Sequence, residues 1–234
     1  MTRLELLKIR WRYWRGLVAP SLLVVGLFLW LAPPQHNPFA PLDLNDKPGL
    51  ASHFKMTQLK RHASACFSAL DASGVLYTPL DDSPKGDVCG MYDALTLDRS
   101  LTPYSATLNM TCWQTASLYL WERHVARPAA VEIFGSPIAR IETYGSFSCR
   151  NIAGGDRKSE HATANAIDIS GFRLADGRLI NVKTHWDNGK DEGEFLKRVH
   201  KGACRLFSVT LGPEYNAAHA DHFHFDMGDD RVCE

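Results

Sequence analysis

An α+β domain behind a membrane-spanning N-terminal helix is the fold class this sequence predicts, built around a small antiparallel sheet flanked by helices. Three observations predict it: a basic start that gives way to an uncharged apolar run, helical periodicity in the next third of the chain, and strand periodicity that takes over after Pro137. At 234 residues, 45% hydrophobic and 22% charged, the chain has length for one core plus a short appendage. Lysine plus arginine and aspartate plus glutamate balance at 26 each, so no global field draws it onto nucleic acid.

Residues 1–16 form a basic segment, with Arg3, Lys8, Arg10, Arg12 and Arg15 set against Glu5. Residues 17–32 follow without a charged side chain and read as a transmembrane anchor, slightly shorter than the roughly 20 apolar residues that span a bilayer. The positive-inside rule keeps the basic end in the cytoplasm and sends the rest outward. A cleaved signal peptide is the competing reading, but Leu31-Ala32-Pro33-Pro34 lacks the small residues a cleavage site needs. Residues 33–58 are a linker, and the stretch up to Leu50, rich in proline, aspartate and asparagine, reads as an extended spacer.

The domain itself is expected over 59–234. Leu59, Ala63, Cys66, Phe67 and Leu70 fall on one helical face before Ser73-Gly74 ends it, and 108–126 reads as a second helix with Pro128 as its stop. Strands are expected at 138–142, at 166–169 and over 177–186, the last entered through an Asp176-Gly177 turn. Phe195, Leu196, Val199, Ala203, Leu206 and Phe207 recur at helical spacing, and His222-Phe223-His224-Phe225 closes the domain as a strand. Six widely spaced cysteines without a C-x-x-C pair predict disulfides made in an oxidising compartment, with fifteen pairings open.

The chemistry concentrates in two patches. His219-x-x-His222-x-His224 packs three imidazoles into six residues, and on a strand His222 and His224 project together while Phe223 and Phe225 enter the core behind them. Ser159-Glu160-His161 is followed seven residues on by Asp168, an acid between Ile167 and Ile169 whose burial needs a partner. His161, Asp168 and His224 together make a two-histidine, one-carboxylate zinc set that leaves a fourth position for water. The ion would acidify that water, His222 is placed to accept its proton, and Arg150 is the nearest candidate cation for the oxyanion. Each has a plainer reading: His222, His219, Asp221 or Ser159 can orient a ligand, and Arg150 can be a surface ion-pair residue. No phosphate-binding glycine loop is present, so zinc is the only cofactor indicated.

These patches resemble the motifs of the LAS-type metallopeptidases, which group D-Ala-D-Ala carboxypeptidases, murein endopeptidases and hedgehog-like domains. His219 makes the second motif most similar to the endopeptidase branch. Gly145 to Asn151, Ser159 to Phe172 and His219 to His224 resemble more closely still the bacterial extensin-like C-terminal domain family, over about 59–234. The resemblance implies zinc on His161, Asp168 and His224, a catalytic His222, and peptidoglycan stem peptides as substrate. A catalytically silent zinc module that binds wall peptide or a protein stays open beside it, as does an amidase. Where the pattern has glycine this chain has Ala164, which is expected to keep a backbone that is not left-handed. Loops 81–87 and 187–194 are candidates for a cleft wall, though such loops are more often only solvated.

Overall fold

The computed structural model describes residues 3–84, 86–152 and 154–234. Helix α1 (Arg3–Leu31) leads in, and α2 (Ser52–Leu59) and α3 (Ala63–Ser73) follow. The expected first helix is thus two, with Gly74 in the left-handed region (φ 75°) stopping the second as expected. Strands β1 (Leu76–Pro79), β2 (Ala94–Arg99) and β3 (Leu108–Thr111) form an antiparallel sheet in that order. The expected helix over 108–126 therefore begins late. Thr111 ends β3 and caps α4 (Cys112–Trp121), its hydroxyl accepting from Gln114 N–H.

Pro128 does not stop that helix. A π-helical turn over Glu122–Ala126 follows α4 and leads directly into α5 (Arg127–Phe134), with the proline in its first turn, where a missing N–H is least costly.

A six-stranded sheet carries the rest: β4 (Ile138–Gly145), β5 (Ala166–Leu174), β6 (Leu179–Asn181), β7 (Val209–Leu211), β8 (Phe223–Asp226) and β9 (Val232–Cys233). Its order is β4-β5-β8-β7-β9 with β6 beside β5, and it is mixed rather than antiparallel throughout, because β9 runs parallel to β7. The strand expected over 177–186 is correct only at β6. Val182 begins a helical turn, α6 (Val182–His185), in which His185 Nδ1 accepts from Asn181 N–H. The period-2 pattern was too short to separate the two.

Helices α4 and α7 (Asp191–Ala203) supply aromatic and aliphatic side chains to the core against one face of this sheet. Trp121 meets Phe172 and Phe225 with centroids 5.9 and 5.4 Å apart, Phe195 meets Phe172 at 5.0 Å, and the Trp121 indole donates to Val199 O. Each such fully buried aromatic is worth about 2–3 kcal/mol of transfer free energy. Gly202 lets α7 approach the π-helical turn, since a Cβ there would meet Val125 Cγ1 at 2.3 Å. Three disulfides, Cys66–Cys112, Cys89–Cys149 and Cys204–Cys233, leave no cysteine free.

Residues 33–50, expected as an extended spacer, lie against the domain instead. Leu44 is fully buried in the core, Asn45 accepts from the Tyr119 hydroxyl, and the buried Lys55 ammonium donates to the carbonyls of Pro34 and Pro41. Leu42 and Leu44, both on the core but set among prolines and polar residues, are too few to give a periodic signal of this. The expected anchor falls on α1, and among the described residues no helix is long and apolar enough to cross a membrane. The basic side chains on which the expected topology rests, Arg3, Lys8, Arg10, Arg12 and Arg15, lie outside the described ones.

Candidate metal centre

Strands β5 and β8 pair antiparallel so that Asp168 and His224 stand directly opposite each other. With Phe223 and Phe225 fully buried on the far face, the strand alternation leaves His224 no other side to occupy. His161 comes from a single 3-10 turn, Glu160–Thr163, capped by the Ser159 hydroxyl, which accepts from His161 N–H. The turn closes on Ala164, whose φ of 57° is left-handed after all. The expectation fails because Ala164 is locked in place: its carbonyl accepts from Thr111 N–H and its N–H donates to His161 O. These bonds offset the ~1 kcal/mol or more that a methyl costs in this region.

Three atoms converge. His161 Nε2 lies 3.1 Å from Asp168 Oδ1 and 3.1 Å from His224 Nδ1, and the last two are 3.0 Å apart. Each imidazole spends its other nitrogen behind the site: His161 Nδ1 on Ser146 O at 2.8 Å, and His224 Nε2 on the Asp226 carboxylate at 2.9 Å. A carbonyl and a carboxylate only accept, so those nitrogens carry the hydrogens and the converging pair presents lone pairs. Two lone pairs and a carboxylate oxygen crowded within about 3 Å demand a positive charge among them, which a proton or a metal ion can supply. The proton's share is visible: burial works to lower the His224 pKa, yet Asp168 and Asp226 push it up to about 9. Burial likewise works to raise Asp168, but His161 and His224 hold it well below the usual carboxylate range.

The donor set therefore fits a metal, and its two nitrogens and one oxygen match zinc's three-ligand pattern. Among the described residues these three are the cluster of donors close enough to share one ion.

Around them lies a cleft of about 660 Å³ lined in part by Arg150, Ser159, Tyr215, His219 and His222. His222 directs Nε2 toward Asp168 Oδ1 at 3.6 Å, while its Nδ1 is held by Asp221 at 2.9 Å. The Tyr144 ring stands edge-on to it, centroids 5.6 Å apart. His219 lies between Tyr215 and the imidazoles of His222 and His224, edge-on to Tyr215 and His224 and tilted against His222, and its Nδ1 bonds Asn216. Burial, then the charges of His224 and His222, lower its pKa to about 4, so it faces the cleft neutral. Arg150 is exposed on the cleft wall, in a segment whose carbonyl accepts from Ser159 N–H and whose neighbour Cys149 is bound to Cys89.

All six residues singled out in the sequence thus border one cleft or its ligand triad, with Arg150 and His219 on its wall. Among the described residues, none of loops 81–87 and 187–194 lines that wall, which is built instead from residues such as Arg150, Ser159, Leu211, Tyr215, Asn216 and Asp230. Sequence reasoning gave no role to Ser146, Asp226 or Tyr144. Asp226 was the findable one, two residues beyond His224 on the same strand face. Replacing Asp226 by alanine is expected to weaken zinc binding by about 10–100-fold. His222→Ala is expected to leave zinc affinity near the parent value, and competitive chelator titration of the two variants separates the roles.

The family model described as Extensin-like protein C-terminus matches residues 64–234. No curated protein and no solved structure matches the chain.

Proposed function

Because the chain belongs to the extensin-like protein C-terminus family, and because its site joins two histidines and an aspartate in one cleft, we propose that it is a zinc-dependent peptidase of the LAS type. Its substrates in this reading are peptidoglycan stem peptides. It works on the periplasmic side of the inner membrane, kept near the bilayer by the apolar length of α1. The observation that carries the proposal is the convergence of three acceptor atoms, the two imidazoles among them each oriented from behind by its own fold contact.

Zinc bound there supplies Lewis acidity toward a carbonyl and toward water. The protein's own groups do the remainder. His222 takes a proton at Nε2, with Asp221 holding Nδ1 and stabilising the imidazolium that results. Neutral His219 donates or accepts a hydrogen bond at the cleft mouth without adding charge. Arg150 offers a guanidinium to developing negative charge on the substrate. Six cysteines closed into three disulfides support an oxidising compartment.

Incubating the full chain with intact peptidoglycan tests the reading. New stem-peptide fragments that vanish with a chelator and return with zinc are expected. Zinc bound at one per chain without any fragment would instead make the site part of a binding module.

A further inference from the structure

The described side chains of α1 from Trp14 to Leu31 are overwhelmingly apolar and exposed, Trp30 at 80%. Where α1 ends, the chain does not swing free. Asn37 Nδ2 donates to Leu29 O within the helix's last turn, and its Oδ1 accepts from Phe39 N–H. His36 Nδ1 accepts from Leu50 N–H, Gln35 O accepts from Ala51 N–H, and Lys55 pins Pro34 and Pro41. One hydrogen-bonded knot therefore joins the end of α1, the segment to Leu50 and the start of α2. The same knot pushes out Phe39 (81% exposed), Leu50 (81%) and Phe54 (51%).

Large apolar side chains thrust into water from a braced segment signal a surface meant to be covered. Its continuity, through that knot, with the exposed apolar length of α1 favours one occupant, a lipid bilayer. We propose that Phe39, Leu50 and Phe54 form a collar that sits in the headgroup and acyl boundary, so that the domain rests on the bilayer in one orientation instead of hanging from a flexible tether. The proposal rests on the envelope placement above and not on the peptidase chemistry.

Lipid photolabelling tests it. The full chain is reconstituted in phosphatidylethanolamine–phosphatidylglycerol vesicles that contain a phospholipid with a photoreactive acyl chain, and labelled peptides are mapped. Label is expected on peptides holding Phe39, Leu50 and Phe54 as well as on α1. The triple variant Phe39→Ser, Leu50→Ser, Phe54→Ser should lose the first set and keep the second. Label confined to α1, label absent altogether, or a discrete dimer in which the peptides with Phe39 and Leu50 stay unlabelled would each overturn the collar. Chelator-sensitive cleavage by the same preparation is read separately, so failure of one reading leaves the other standing.

Discussion

On the proposed zinc reading, His161→Ala or Asp168→Ala is expected to lower zinc affinity by roughly 10³-fold or more, beyond the 10–100-fold typical of a supporting residue. The triad offers only three protein donors, so loss of one leaves two, too few for a site that must compete with water and buffer. In the metal-free protein, Asp168→Ala also removes one of the two carboxylates that raise the His224 pKa, leaving that imidazole against Asp226 alone. Zinc content by elemental analysis, with circular dichroism to confirm the fold, measures the effect. Metal retained in full by the His161 variant would sink the ligand assignment.

The second large effect lies away from the cleft. Glu122 is fully buried on the π-helical turn, with Oε1 accepting from the Tyr104 hydroxyl at 2.7 Å. Desolvation raises its pKa from 4.5 to about 7, against the hydrogen bonds it accepts. A folded pKa above the unfolded value means that the native state binds the extra proton, so stability is full below pH 4.5 and falls as pH rises toward 7. The span corresponds to about 3 kcal/mol. Glu122→Gln carries no such proton and is expected to abolish that loss, gaining on the parent between pH 4.5 and 7 and holding the gain above it. Urea midpoints for both chains across this range check the sign, and parallel pH profiles would refute it.

The carboxylate of Glu122 also shows what a sequence conceals. Nothing in Trp121-Glu122-Arg123 separates a surface acid from a buried one, because burial here follows from a π-helical turn and from the segment around Tyr104 laid over it. The α+β class, strand β8 and the meeting of His161, Asp168 and His224 were legible because each rests on local pattern: period-2 alternation around Phe223 and Phe225, and a His161-to-Asp168 spacing; β9, which follows the strand expected to close the domain, was not. Nor was the three-stranded sheet, since β1 is mostly exposed and the burial along β2 and β3 does not alternate. Ser146 orients His161 through a backbone carbonyl, which no side chain announces. Leu44 belongs to the core by long-range docking alone. The chemistry was written in residue types at short range, while the supports come from segments distant in sequence.

The pairing of Asp168 with His224 ties two properties to a single register. A slip of β8 by one residue would bring a phenylalanine to the face of the triad and drive a histidine into the core, so no misaligned version of the sheet can keep either its apolar filling or its triad. The triad and the core are selected together. Bound zinc at one equivalent per chain would therefore serve as a fold certificate, reporting on a refolded sample that its central strands have found their partners before any substrate is offered.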